Sequence, residues 1–267
     1  MQRSKIEWLR NEDGTMGYTW NPIKMRCSKI TAGCENCWHL RFAKRHSWNP
    51  TFSKAARAAY SGGTPFLDED ELLQPSKLQK PSKIAVQLMG DLFHHSVDPK
   101  HIIRILSEII AAGSHTFFIL TKRAFEMRDF FNSLYDHTGL YRPEECGNIW
   151  VGVSIANQQS VVMLRALLDT HVANRWVSCE PLVGPVDLGL NGTTDRRLGY
   201  RPIRDLIHWV VAGAETGPGK RKMEQRWYSA LQCECEIAGV PFFGKVDSKG
   251  NPIGPRQTPF DDREGIW

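Results

Sequence analysis

The run KIAVQLMGD at residues 83–91 is apolar for most of its length and closes on Gly90 and Asp91. Five more runs share that form: HTFFILTKR (115–123), NIWVGVSIAN (148–157), RWVSCEP (175–181), IHWVVAGAE (207–215) and VPFFGKVD (240–247). A strand buried on both faces of a parallel sheet reads as a short continuous run of Val, Ile, Phe and Trp, not as an alternating one. Consecutive runs end about 25–35 residues apart, which is room for one strand, one helix and two loops. Amphipathic stretches fill the intervals. In DPKHIIRILSEIIAAG (98–113), Asp98 is placed to cap a helix and Pro99 suits its first turn. Ile102, Ile105, Leu106 and Ile109 then share one face, and Gly113 ends the pattern. The stretches at 124–137, 157–171 and 225–239 repeat that arrangement. With TWNPI (19–23) as a first strand, about seven strands are expected, roughly six of them parallel.

The polar residues that close these runs select among parallel architectures. Nearly every predicted strand end carries them: Gly90 and Asp91, Thr121 to Arg123, Ser154 and Asn157, Glu180, Gly213 and Glu215, and Lys245. An open doubly wound sheet needs functional groups at one switch point, whereas a barrel gathers all its strand ends at one face. The expectation is an α/β fold, a partial (β/α) barrel of mostly parallel strands forming a single domain over 1–267. Polar, Pro- or Gly-rich segments near 47–82, 136–147 and 189–204 interrupt the rhythm and read as surface insertions.

Composition narrows the class of protein. The 267 residues are 41% hydrophobic and 24% charged, typical of a folded globular chain. There is no fixed-period repeat, no apolar run of the ~18 residues a membrane span requires, and no secretory h-region in MQRSKIEWLR. The expected compartment is the cytoplasm, with no membrane partner. A net charge of +5 admits a nucleic-acid partner without requiring one.

Seven cysteines, at 27, 34, 37, 146, 179, 233 and 235, make a disulfide framework unsuited to a cytosolic chain. Three of them form C-x6-C-x2-C within MRCSKITAGCENCWHL (25–40). Thiolates two residues apart can share one metal centre, and Gly33 permits the reversal that brings Cys27 back to it. Residues 38–46 then suit a helix whose N-terminus favours an anionic cluster. Three thiolates without an obvious fourth suit a 4Fe-4S cluster with one open iron. Two other readings stand beside it: structural zinc completed by His39 or His46, and three buried free thiols.

The chain resembles a phage-associated three-cysteine-motif family. The resemblance rests on SKIEW (4–8), TWNP (19–22), the cysteine loop, MGDLFH (89–94), LTKR (120–123), GVSIANQ (152–158), CEPLVGPVDL (179–188), GAETGPGKRKM (213–223) and GVPFF (239–243). Trp38 after the third cysteine, Gly244 and Val246 around Lys245, and residues 9–18 depart from the family pattern. The loop also resembles the radical S-adenosylmethionine superfamily, whose commoner spacing is C-x3-C-x2-C, and LTKR resembles part of the DNA-acting spore photoproduct lyase branch.

That resemblance implies a radical enzyme in which Cys27, Cys34 and Cys37 hold a 4Fe-4S cluster, S-adenosylmethionine binds the open iron, and a flavodoxin- or ferredoxin-like protein donates the electron. Gly90 and Asp91 would then meet the cofactor's amino group. Ser154 and Asn157 are candidates for its ribose or carboxylate, since hydroxyl and amide groups both donate and accept. Glu180 and Glu215 suit sugar hydroxyls or a cation, and Lys122, Arg123 and Lys245 suit a carboxylate or phosphate, each being equally suited to a salt bridge with another strand end. Cys179, beside Glu180, is a candidate hydrogen-atom donor and Lys122 a second catalytic candidate. His94 and His95 read as a surface pair. The GPGKRKM loop (217–223) can form a basic rim for nucleic acid or simply be a solvated loop, and a nucleic acid or nucleotide component is the expected substrate class. The rival functions are a zinc-containing nucleic-acid-binding module and a barrel enzyme acting on a phosphorylated small molecule.

Overall fold

The computed structural model describes residues 1–137, 141–194 and 196–261. Its strands and helices, in chain order, are β1 (Gln2–Arg3), β2 (Tyr18–Trp20), β3 (Ile23–Lys24), α1 (Trp38–His46), α2 (Lys54–Ser61), β4 (Phe66–Leu67), α3 (Glu69–Leu72) and β5 (Lys83–Val86). They continue with α4 (Pro99–Ala111), β6 (Thr116–Thr121), α5 (Ala124–His137), β7 (Ile149–Ser154), α6 (Val162–Leu168), β8 (Asn174–Cys179), β9 (Trp209–Ala212), α7 (Gln225–Ala238) and β10 (Phe242–Gly244).

The fold is mixed α/β, with an eight-stranded sheet in the order β1-β2-β5-β6-β7-β8-β9-β10 and a separate β3-β4 ribbon. β1 runs antiparallel to β2, while β2–β5, β5–β6, β8–β9 and β9–β10 are parallel. Beyond the ribbon strands the spatial order is the chain order, so no switch point divides the sheet. All six apolar runs form strands. TWNPI does not form one continuous strand: β2 ends at Trp20, and Ile23 restarts in the ribbon opposite Leu67. Pro22 between them has no N–H to continue a ladder.

The chain separates into two compact units: Met1–Ile30, Cys37–Val151 and His171–Ala173 in the first, Thr31–Asn36, Gly152–Thr170 and Asn174–Trp267 in the second. In the first, Ile84 to Val86, Phe117 to Ile119 and the α4 face Ile102, Ile105, Leu106 and Ile109 are buried. Each buried Val, Ile, Leu or Phe among them contributes about 1.5–3 kcal/mol by leaving water. α4 begins as its sequence dictates, with the Asp98 carboxylate accepting from the Lys100 N–H at 2.9 Å and Pro99 in the first turn. In the second unit, Trp176 and Trp209 pack with ring centres 5.8 Å apart, and Gly152 makes room for the Trp176 indole, which a Cβ there would meet at 2.5 Å.

The segments expected as surface insertions are more integrated than that. Within 47–82, Ser53 caps α2, and Ala56, Ala59, Tyr60, Leu67 and Leu72 are buried. Glu71 ion-pairs with Lys24 and Asp68 stands 3.5 Å from the same ammonium, so the segment braces the ribbon. Alanine-rich helices carry a weak apolar signal, which is why composition hid it. Tyr141 and Cys146 are buried in the segment near 136–147, of which residues 138–140 lie outside the described residues. Near 189–204, Leu190 is buried, and its N–H and that of Leu188 donate to Glu234.

Candidate functional site

The approach to Cys27 is built by side chains that imitate a strand. Gln87 sits at a φ of 54°, which turns its amide onto Ile23: Oε1 accepts from the Ile23 N–H at 2.9 Å and Nε2 donates to its carbonyl at 2.8 Å. Asn21 Oδ1 takes the Met89 N–H at 2.8 Å. Gly90 has a φ of 126°, and a Cβ there would lie 2.7 Å from the buried Met25 side chain. What approaches Gly90 closely is Met25, two residues before Cys27.

Asp91 is the hub of the first unit's polar cluster, and its assignment changes most. Its carboxylate accepts from Thr121 Oγ1 at 2.6 Å, the Phe93 N–H at 3.1 Å and the Lys122 N–H at 3.1 Å, and pairs with Arg123 Nη1 at 3.2 Å. Both partners of that ion pair are buried. With four internal donors, the carboxylate is engaged within the fold. Arg123, expected to hold an external anion, instead donates from Nη1 to Cys27 Sγ at 3.6 Å and from Nη2 to the Ser28 carbonyl and hydroxyl at 3.1 and 2.9 Å. Lys122 contributes its backbone to Asp91, and its half-buried side chain acquires no catalytic role from the geometry.

His94 is buried, contrary to a surface pair, while His95 is exposed. The Ser96 N–H donates to His94 Nδ1 at 3.2 Å, which leaves the ring proton on Nε2, 2.9 Å from the Ser28 hydroxyl. Burial, then the Arg123 and His95 charges, pushes His94 down to about 4, so the ring is neutral near pH 7. His39 is likewise buried and held at about 4, chiefly by burial; its Nε2 accepts from the Cys27 N–H at 3.4 Å and its Nδ1 has no hydrogen-bond partner. His46 packs against Phe52 and Tyr60 at 4.8 and 5.2 Å between ring centres.

In the second unit, Cys34 is buried with Thr31 Oγ1 at 3.6 Å from its sulfur. Its turn is held by Glu215, whose carboxylate accepts from the Arg221 N–H at 2.7 Å, from the Arg221 guanidinium at 2.6 and 2.9 Å, and from Asn36 Nδ2 at 3.0 Å. Burial pushes this carboxyl up, but the Arg221 and Asn36 hydrogen bonds outweigh it and hold Glu215 at about 2. Arg221 also reaches Glu35 at 2.9 Å, and Asn36 donates to the Gly219 carbonyl at 2.7 Å. The middle of the GPGKRKM loop is thus tied to residues 35–36, leaving Lys220 and Lys222 exposed.

The other strand-end candidates also have internal partners. Ser154 Oγ donates to the Glu180 carbonyl at 3.1 Å, and Asn157 caps the following turn by accepting the Ser160 N–H at 3.2 Å. Glu180 and Lys245 form the salt bridge that stood as the alternative to ligand binding. Cys179 is fully buried, and burial followed by the Glu234 charge pushes its thiol up, so the sulfur keeps its hydrogen. Cys235 is buried and pushed up in the same way, whereas Cys233 is exposed. Alkylation of the native protein, mapped by mass spectrometry, is expected to modify Cys233 and to spare Cys179 and Cys235 until the chain is unfolded.

Among the described residues, no group of three or more His, Cys, Asp or Glu side chains stands ready to hold a metal ion. The donor chemistry of the cysteine loop nonetheless suits an anionic thiolate-bound group. Cys27 and Cys37 are partly exposed, and Cys27 receives a guanidinium hydrogen bond. Cys37 is the N-cap of α1 and makes no side-chain capping bond. Sequence reasoning missed Ser28 and Asn36. Both adjoin a cysteine already singled out, and only packing shows what they contact.

Fold and site together define a mixed α/β protein with a mostly parallel sheet and a cysteine-bearing loop whose residues are contacted by the Asp91–Arg123 and Glu215–Arg221 ion pairs. Residues 3–251 match the family described as Protein of unknown function (DUF5131), and the chain belongs to that family. No curated protein and no solved structure matches it. No helix among the described residues is long and apolar enough to cross a membrane.

Proposed function

We propose that this protein is a radical S-adenosylmethionine enzyme acting on a nucleic acid or nucleotide component, with Cys27, Cys34 and Cys37 as ligands of a 4Fe-4S cluster. The observation that carries the reading is the loop itself: three thiols within eleven residues after the first parallel strand, one of them hydrogen-bonded by the buried Arg123. When bound, a cluster with an open iron supplies one-electron cleavage of S-adenosylmethionine to methionine and a 5'-deoxyadenosyl radical. The chain's own part is to hold the thiols. Arg123 offers positive charge to Cys27, Cys37 stands at the N-terminus of α1 where the helix dipole favours negative charge, and Asp91 fixes Arg123. The chain-order sheet favours a partial barrel over a doubly wound sheet. A ferredoxin- or flavodoxin-like donor and a cytoplasmic location belong to the same reading.

One observation favours zinc as a second reading. His39 presents a buried Nδ1 without a partner and lies against the Cys27 backbone, so three thiolates and one imidazole are available in sequence proximity.

Anaerobic reconstitution separates the two readings. The protein is expected to turn brown, take up about four irons, and release 5'-deoxyadenosine when reduced with S-adenosylmethionine. Alanine at Cys27, Cys34 or Cys37 should abolish both iron binding and turnover. Colourless protein with stoichiometric zinc, or loaded and reduced protein that yields no 5'-deoxyadenosine, would overturn the radical assignment.

A further inference from the structure

The stretch from Asn36 to Leu67 contains no acidic residue and carries Arg41, Lys44, Arg45, Lys54 and Arg57, a charge equal to the whole chain's net excess. Its first helix, α1, is oriented in an uncommon way. Trp38, Arg41, Phe42 and Arg45 fall at i, i+3, i+4 and i+7, the spacing of one helical stripe, and all four are exposed. The opposite side is the one that packs: His39 and Ala43 are buried, and His46 lies against Phe52 and Tyr60.

The outward stripe alternates rings with cations. Trp38 is 44% exposed and Phe42 37%, their rings edge to face at 5.6 Å, and the Arg45 guanidinium lies 4.4 Å from the Phe42 ring centre. Trp48, on the turn whose N–H donates to the Arg45 carbonyl, is 81% exposed. Leaving Trp48 in water, and Trp38 and Phe42 partly so, forgoes free energy of burial, and their grouping calls for a ligand with flat apolar faces. The interleaved cations call for that ligand to be a polyanion.

We infer that the outward face of α1 together with Trp48 is a binding surface for single-stranded nucleic acid, with Arg41, Lys44 and Arg45 on phosphates and Trp38, Phe42 and Trp48 stacking on bases. A single strand supplies unpaired base faces and closely spaced phosphates together, which is what this mixture of side chains can meet. A lipid surface fits less well. Membrane-lying helices segregate an apolar face from a basic one, whereas here rings and cations share one face. The inference goes beyond the radical reading and is independent of it, because it needs neither iron nor S-adenosylmethionine. It also moves nucleic-acid contact away from the 217–223 loop, whose Arg221 is engaged by Glu215 and Glu35.

The test uses the full-length protein as purified, without iron reconstitution, and fluorescence anisotropy of a labelled mixed-sequence single-stranded DNA of roughly 20 nucleotides. Trp48→Ala is expected to weaken binding roughly 5- to 100-fold through loss of one stacked base. Lys44→Gln with Arg45→Gln should weaken binding and lower the slope of log affinity against log salt by about 1.4. These side chains are exposed, so far-ultraviolet circular dichroism and thermal unfolding should match the unsubstituted protein. Wild-type affinity and salt slope in both variants would overturn the inference. So would loss of binding on Lys220→Gln with Lys222→Gln but not at α1, or wild-type protein that sediments with phosphatidylserine vesicles and ignores the oligonucleotide.

Discussion

Asp91→Ala is expected to lower the free energy of unfolding by about 3–5 kcal/mol, because it removes one partner of a buried ion pair and leaves the other charge behind. Arg123 and Asp91 have side chains 3% and 6% exposed, so water cannot replace the lost carboxylate without opening the site. Thr121 Oγ1 and the N–H groups of Phe93 and Lys122 lose their acceptor at the same time. Urea denaturation at neutral pH measures the loss. Asp91→Ala combined with Arg123→Met should be less destabilising than the sum of the two single changes, since the double variant buries no unpaired charge. Additive losses would show that the pair is not coupled. On the proposed cluster reading, Asp91→Ala is also expected to impair iron uptake, because Arg123 is the side chain that contacts Cys27 and Ser28. Iron content left intact in the variant would instead fit Asp91 as a cofactor contact.

The second large effect is a pH dependence. Glu215 is held at about 2 against an ordinary 4.5 by Arg221 and Asn36, in spite of its burial. The unfolded chain therefore takes up this proton first as the solution is acidified, and falling pH favours unfolding. The contribution, about 2–3 kcal/mol, is expected in full above about pH 4.5 and is lost as pH falls toward 2. Because Arg221 is partly exposed, the lower end of that range is the better expectation in salt. Glu215→Gln isolates it. The stability difference between wild type and variant should be constant from pH 7 to about 5 and shrink steadily below that. A difference that stays constant down to pH 2.5 would mean that the carboxylate supplies no such stability.

These two clusters brace opposite ends of one loop. Within the first unit, Asp91 and Arg123 hold Cys27 and Ser28; within the second, Glu215 and Arg221 hold residues 35 and 36, which follow Cys34. Both rest on contacts between residues far apart in the chain, such as Arg123 with Cys27 and Asn36 with Glu215. The proposed chemistry needs thiols held still against an anionic group, and buried charge-assisted hydrogen bonds are a means of doing so.

Apolar runs and helix caps are local signals, and they were sufficient for most of the scaffold. Six strands lie where continuous runs of Val, Ile, Phe and Trp placed them, and α4 begins at Pro99 under an Asp98 cap because both residues act within one turn. The cysteine loop was equally visible, since its spacing is contained in eleven residues. What spacing could not reveal is where each polar group at a strand end finds its partner. Asp91, Ser154, Asn157, Glu180 and Glu215 were candidates for a ligand, and each has a partner within the chain. Buried polar groups must be paired, and the partner is chosen by proximity after folding. Nor could periodicity orient α1. Its stripe of Trp38, Arg41, Phe42 and Arg45 mixes rings with cations, and it is His39, Ala43 and His46 that took the packed side. Phe52 and Tyr60, supplied from beyond the helix, form the surface against which that side packs.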